Sequence, residues 1–100
     1  MLFRSIGKSW EGREIWCLEV TARDVGRADR KPGMYIDGNI HGNEIQAAET
    51  VLYTIWYLTK SHGRIERLTK LIDERAFYLV PMENPDGREV WFNQIGRAHV

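Results

Sequence analysis

His41 and Glu44 are the two side chains of this sequence whose types and spacing could do chemistry. They lie three residues apart in the segment 38–44 (GNIHGNE), directly before a stretch with helical periodicity. At the entry to a helix this spacing lets an imidazole and a carboxylate converge on one point, and zinc accepts both donors at about 2.0–2.2 Å. The alternative is structural: His41 bonds to loop backbone, and Glu44 is a favourable carboxylate at a helix N-terminus.

A second polar segment, 83–87 (ENPDG), follows the last apolar run of the chain. It is typical of a tight turn, because proline fixes φ and glycine permits positive φ. In an open α/β sheet, ligands bind beyond the carboxyl ends of the strands. Both polar segments follow a predicted strand, so we expect both loops to border the candidate site.

The strands that must position these loops are predicted at three places. Residues 14–20 alternate in the manner of a strand, 34–36 form a short apolar strand, and 76–82 (AFYLVPM) form a near-continuous apolar run. Runs of the last two kinds suit strands that are buried on both faces. The polar segment 23–33 reads as a loop.

Two helices are predicted between the second and third strands. The first covers roughly 44–60, with Ala48, Leu52, Ile55 and Trp56 on one face, a capping box from Asn43 to Gln46, and Gly63 as its stop. The second covers about 64–73, with Ile65, Leu68, Leu71 and Ile72 on one side. Strand, helix, helix, strand is a crossover long enough to join parallel neighbours, so the predicted fold is an α/β sheet flanked by helices.

Composition limits the partners. The 100 residues carry 14 Lys+Arg and 14 Asp+Glu, and this balance argues against nucleic acid and against an anionic membrane surface. No apolar run approaches the ~18–20 residues that span a bilayer, and no signal peptide is visible. Cys17 is the only cysteine, so an internal disulfide is excluded. One domain is expected, and neither its cellular location nor its oligomeric state follows from these residues.

Three motifs in order carry a family resemblance. Segments 6–15 (IGKSWEGREI), 37–44 (DGNIHGNE) and 81–87 (PMENPDG) resemble those of the zinc metallocarboxypeptidases of the carboxypeptidase A and B type, over about residues 5–93. The resemblance implies a mixed, partly parallel sheet flanked by helices. It also implies a zinc-dependent hydrolase acting on the C-termini of peptides or proteins, with His41 and Glu44 as two of three zinc ligands.

By the same resemblance, the third ligand (a histidine), the general-base glutamate and the groups that hold the substrate carboxylate would follow further along such a chain. His62 is no substitute, because it lies about 27 Å from Glu44 along an unbroken helix. His99 lies in 95–100, a tail that does not match the family and reads as a truncation junction or an adapter-derived sequence. We therefore expect 1–94 to be the N-terminal portion of a catalytic domain, with an uncovered sheet edge and no activity by itself.

Alternatives stay open at this level. The chain could be a non-catalytic zinc-binding pseudo-enzyme or binding module, or belong to a related zinc acylase of the desuccinylase or aspartoacylase kind. Asp86 could be an outer partner of His41, since metal-bound histidines commonly donate to a carboxylate, or its turn could be purely architectural. Arg88 has the chemistry of a carboxylate clamp, but the family's carboxylate-binding arginines lie further on, so that role is not carried over.

Overall fold

A computed structural model describes residues 1–98, with side chains up to residue 94. The strands are β1 (Leu2–Lys8), β2 (Glu14–Val20), β3 (Gly33–Asp37) and β4 (Ala76–Val80), and the helices are α1 (Ile45–Ser61), α2 (Glu66–Glu74) and α3 (Pro85–Ala98). Two short 3₁₀ turns, Arg23–Val25 and Ala28–Arg30, lie in the predicted loop. Within residues 1–98, no helix has the length and apolar character needed to cross a membrane.

The four strands form one mixed sheet in the order β1-β2-β4-β3. β3 and β4 are parallel and joined by α1 and α2, whereas β2 is antiparallel to both β1 and β4. The predicted crossover between parallel neighbours is therefore confirmed. Because the carboxyl ends of parallel strands meet at one edge of a sheet, the loops after β3 and β4 come together there.

The two parallel strands differ in their exposure to solvent. Central β4 is buried, and Leu79 and Val80 are inaccessible to solvent. β3 lies at the edge, where Met34 and Tyr35 are 54% and 57% exposed. The prediction that 34–36 is buried on both faces is wrong, because within the described residues Met34 and Tyr35 have no covering layer and only Ile36 packs partly against the core. β3 and β1 are the two edge strands of the described sheet.

α1 packs on the sheet through a stripe centred one position away from the predicted face. Its buried apolar residues are Ala48, Val51, Ile55 and Leu58, and the last three pack with side chains of β2, β4 and α2 that include Val20, Ile72, Phe77 and Leu79. Leu52 and Trp56, which were predicted on this face, are 52% and 49% exposed. Each follows a buried residue directly, and one residue turns the helix by about 100° away from the sheet.

The helix ends differ from the predicted caps. The N-cap of α1 is Glu44 and has no side-chain capping bond, so the box from Asn43 to Gln46 does not form. At the other end the stop is confirmed: α1 ends at Ser61, and Gly63 adopts φ +82°, a conformation that favours glycine.

α2 buries only part of its predicted apolar face. Ile72 is buried, and its carbonyl accepts the Ala22 N–H at 3.0 Å, which ties α2 to the end of β2. Leu68 is partly buried. Ile65 and Leu71 are 40% and 38% exposed, so the predicted face is wrong for these two. Ile65 precedes the helix as its N-cap, and α2 is too short to bury a long stripe.

Candidate metal site

The loops after β3 and β4 run side by side at the carboxyl edge of the sheet. The Glu83 N–H donates to the Gly38 carbonyl at 3.0 Å, and the Asn84 N–H donates to the Asn39 carbonyl at 3.1 Å. These bonds place the segment that carries His41 and Glu44 directly beside the 83–87 segment. The predicted proximity of the two polar loops is confirmed.

His41 and Glu44 face each other across one turn of chain. The His41 Nδ1 lies 2.6 Å from the Glu44 Oε1, and the two side chains are 74% and 54% exposed. Two donors on one tetrahedral zinc ion, at bond lengths of about 2.0–2.1 Å, lie about 3.3 Å apart. Small rotations of two exposed side chains cover that difference, so the pair fits two positions of a zinc site.

A depression of about 540 Å³ opens beside this pair. Its lining comprises the residues at the start of α1 and one aromatic residue of α3: Asn43, Glu44, Ile45, Gln46, Ala47 and Trp91. The Trp91 indole Nε1 is buried and has no hydrogen-bond partner among the described residues. The depression therefore leaves the space next to Glu44 accessible, with Trp91 forming part of its wall. A more apolar groove of about 490 Å³ lies elsewhere, between Trp16 on the sheet and the first half of α1.

Asn39 organises the loop from inside. It is 1% exposed and adopts φ +60°, a left-handed conformation that asparagine tolerates better than most residues. Its side-chain Nδ2 donates to the carbonyls of His41 at 2.7 Å and Gly42 at 3.3 Å. A buried side chain thus fixes the backbone on which the candidate ligand His41 sits.

Arg88 completes this arrangement. Its Nη1 donates to the Asn39 Oδ1 and to the Ile45 carbonyl, both at 2.9 Å. The guanidinium also lies over the Phe92 ring, 5.2 Å from the ring centroid. The structure gives Arg88 a contact with the loop and with the first residue of α1, and no sign of the clamp that its chemistry suggested.

The predicted tight turn is the start of a helix, because α3 begins at Pro85 and Asn84 directly precedes it. Asn84 accepts the Gly87 N–H on its Oδ1 at 2.9 Å and donates from Nδ2 to the Ile40 carbonyl at 3.1 Å. Proline at the first helical position has a suitable φ and lacks an N–H that would be unpaired anyway. Asn84 therefore caps α3 and holds the candidate loop with the same side chain.

Asp86 is directed away from His41. Its carboxylate accepts hydrogen bonds from the Ser9 hydroxyl at 2.7 Å, the Glu11 N–H at 3.0 Å and the Arg13 guanidinium at 2.9 Å. These bonds, with that from Ser9 the foremost, hold the pKa of Asp86 below its ordinary value. The suggested role of Asp86 as an outer partner of His41 is wrong. It joins α3 to the turn between β1 and β2.

The same arrangement of motifs is found in known proteins. The family model described as zinc carboxypeptidase matches residues 2–98. The chain belongs to the zinc carboxypeptidase family. The contacts of Asp86 and Asn84 explain why the family's three motifs occur together here, since 6–15 and 37–44 both touch the start of α3.

Individual members of the family agree in sequence and fold. Carboxypeptidase D of Drosophila melanogaster is 35% identical over 101 residues, which cover 96% of this chain and 7% of that protein. Carboxypeptidase Z of Homo sapiens is 36% identical over 88 residues, which cover 86% of this chain and 13% of that protein. The structure of thrombin activatable fibrinolysis inhibitor superposes with a TM-score of 0.74 at 30% identity, over 86% of this chain and 21% of that one. The chain therefore spans a small part of its relatives.

A third metal donor is not found among the described residues. No group of three or more His, Cys, Asp or Glu side chains is placed to hold a metal within residues 1–98. His62 lies at the end of α1, where its Nε2 is 2.8 Å from the Asp73 Oδ1 of α2. It takes no part in the candidate site, as predicted, and His99 lies outside the described residues.

Glu83 forms a second acidic contact near the loop. A hydrogen bond with Asp37, together with burial, raises the pKa of Glu83 above its ordinary value. Its Oε2 is buried and has no hydrogen-bond partner in the described part of the chain. This environment therefore favours the protonated form of Glu83 at the junction of β3 and the loop after β4.

Sequence reasoning missed Asn39, Arg88 in its observed role, and Trp91 as a lining residue. The run Asp37-Gly38-Asn39 held one usable signal, because an asparagine after a glycine at the end of a strand is typical of a positive-φ turn residue. For Arg88 no local signal exists, since its partners lie 49 and 43 residues away.

Proposed function

We propose that His41 and Glu44 supply two zinc ligands to a carboxypeptidase that removes C-terminal residues from peptides or proteins. The observation that carries the proposal is their 2.6 Å approach on an exposed loop whose backbone is fixed by buried contacts. Family membership supports the chemistry, because matched relatives bear the names carboxypeptidase D and carboxypeptidase Z. A third donor and a general base would come from chain outside residues 1–98.

In this reaction, the residues of this chain would bind the metal and hold its two ligands in orientation. Glu44 would contribute a negative charge, and its contact with His41 Nδ1 orients the imidazole before a metal binds. Asn39 and Asn84 hold the loop against α3 so that the two donors stay together. Zinc bound there would supply Lewis-acid polarisation of the scissile carbonyl and a bound water of lowered pKa. The two donors alone leave the 100-residue chain without hydrolytic activity.

The chain offers a matched pair for testing metal binding. His41 with Glu44, and His62 with Asp73, are both solvent-accessible histidine–carboxylate pairs, at 2.6 and 2.8 Å. We expect His41→Ala and Glu44→Ala each to weaken zinc binding by at least tenfold in competition against a chromogenic chelator. His62→Ala and Asp73→Asn should change it less than twofold.

Two results would contradict the proposal. One is equal loss of zinc affinity from substitutions at either pair, which would mean generic surface binding. The other is a zinc affinity that neither His41→Ala nor Glu44→Ala alters. Separately, zinc-dependent release of a C-terminal residue by the pure 100-residue chain, abolished by Glu44→Ala, would refute the statement that two donors are insufficient.

A further inference from the structure

We infer that Arg88 is a positioning residue for the His41–Glu44 pair, because one of its nitrogens ties together the two ends of the loop that carries the pair. The inference rests on the proposed function, since it assumes that this pair holds zinc. It assigns Arg88 no contact with substrate or metal. Its effect passes through Asn39 and through the first residue of α1.

The geometry places both bonds on a single atom. Arg88 Nη1 donates to the Asn39 side chain, which lies just before His41, and to the Ile45 carbonyl, which lies just after Glu44. Both distances are 2.9 Å. The two candidate ligands therefore lie on a short arc of chain whose ends are held by one guanidinium group.

Asn39 passes this constraint to the ligand backbone. Its Oδ1 accepts from Arg88, and its Nδ2 donates to the carbonyls of His41 and Gly42. At 1% exposure, Asn39 has little access to solvent, so its Oδ1 has no ready substitute for the arginine. Loss of Arg88 would leave this amide free to turn, and its bonds to the loop carbonyls would weaken.

The ligand side chains cannot hold themselves in place. His41 is 74% exposed and Glu44 is 54% exposed, so packing contributes little to their position. Their own mutual contact is lost as a restraint when both bind a metal. The orientation of the pair then depends on the loop backbone, which Arg88 and Asn39 fix.

The Arg88 side chain is also held by a contact within its own helix. Phe92 lies one turn further along α3, and its ring lies 5.2 Å from the guanidinium carbon. Residues four apart share a helix face, so this contact directs the arginine side chain across the start of α1. The loop is thus held by a group that is already ordered on a neighbouring helix.

The test compares two substitutions at position 88 in the full 100-residue chain. Arg88→Met removes all donors at similar length, whereas Arg88→Lys keeps three donors on one nitrogen, enough to serve both acceptors. Ile72→Ala in α2 serves as a control that destabilises the core away from the loop. Zinc affinity is measured by chelator competition, and backbone order parameters of residues 40–44 are measured by NMR on the metal-free chain.

For Arg88→Met we expect a 10- to 100-fold fall in zinc affinity, the range found for outer partners of metal ligands. The order parameters of residues 40–44 should fall from about 0.85 to below about 0.6. Arg88→Lys should recover both readouts to within about threefold in affinity and about 0.1 in order parameter. Ile72→Ala should leave the order of the loop unchanged.

Three outcomes would overturn the inference. Arg88→Met could leave loop order unchanged, Arg88→Lys could behave like Arg88→Met, or Ile72→Ala could reproduce the change in the loop. The metal-free measurement decides among these even if zinc does not bind at His41. In that case the proposed function fails on the affinity data, while the ordering of the loop by Arg88 stands or falls on the NMR data.

Discussion

Gly42→Ala tests the contact between the candidate loop and the first turn of α3. A Cβ at Gly42 would lie 2.7 Å from the Cα of Gly87, and closer still to its carbonyl carbon and oxygen. Favourable carbon–carbon contacts lie at about 3.5–4.0 Å. Because the obstructing atoms are backbone, no side chain can turn aside, and the loop and α3 must separate by about 1 Å.

The cost follows from the bonds that cross this contact. Asn84 donates from its N–H to the Asn39 carbonyl and from its side chain to the Ile40 carbonyl, both at 3.1 Å, and Arg88 donates to the Asn39 side chain at 2.9 Å. A 1 Å separation stretches all three to about 4 Å, which is beyond hydrogen-bonding range. At about 1 kcal/mol for each net hydrogen bond, Gly42→Ala should lower the free energy of unfolding by about 3 kcal/mol.

Gly33→Ala provides the matched control. A Cβ there would lie 3.2 Å from the Tyr78 ring edge, a side chain that can shift, and Gly33 does not occupy the positive-φ region. Alanine also lowers the entropy of the unfolded chain, so we expect a change within about 1 kcal/mol. Urea unfolding followed by circular dichroism gives both values. A Gly42→Ala cost below about 1 kcal/mol, or one equal to that of Gly33→Ala, would refute the argument.

Asp86 and Glu83 should affect the pH dependence of the free energy of unfolding in opposite directions, as measured by the same urea unfolding. The pKa of Asp86 is lowered, so its stabilising effect is complete above the ordinary aspartate value and is lost as pH falls through its lowered pKa. Asp86→Asn should therefore reduce stability near neutral pH, with a gap that closes in acid, and a gap independent of pH would contradict this. The pKa of Glu83 is raised, so its contribution is complete below the ordinary glutamate value and is lost as pH rises through the raised pKa. Glu83→Gln should become progressively more stable relative to the parent chain across that rise, and a constant difference would contradict the raised pKa of Glu83.

Three of the four strands and the crossover could be predicted from sequence because their signals are local, whereas β1 was not predicted. Alternation over 14–20 and the apolar run from 76 define strands, and the long helical stretch between two strands implies parallel neighbours. The exact helix face could not be predicted, because it is set by where β2 and β4 present their core side chains. Leu52 and Trp56 match the helical period as well as the residues that are actually buried.

The start of α3 shows a different limit. Asn, Pro, Asp and Gly are favoured in turns, and Asn and Pro are equally favoured at the first positions of a helix. Local composition over 84–87 therefore cannot separate the two structures. In the structure the chain continues from this segment as a helix to Ala98.

For the site, spacing was sufficient to bring His41 and Glu44 together, because both lie within one turn of chain. The residues that hold this pair in place could not be predicted from local spacing. Asp86 contacts residues 73 to 77 positions away, and Arg88 contacts residues 43 and 49 positions away. Such contacts depend on the order of the strands in the sheet. They cannot be predicted from the spacing of residues that are close in sequence.

The contacts indicate that the three motifs have different structural roles. The turn between β1 and β2 binds Asp86, and α3 in turn binds the loop through Asn84 and Arg88. Neither Asp86 nor Arg88 contacts His41 or Glu44 through its side chain, yet each has several bonds that a substitution would break. Ser9, Asn39, Asn84, Asp86 and Arg88 therefore help to fix one loop. For the zinc site proposed here that rigidity matters, because two exposed donors on a free loop would have to be ordered each time a metal binds.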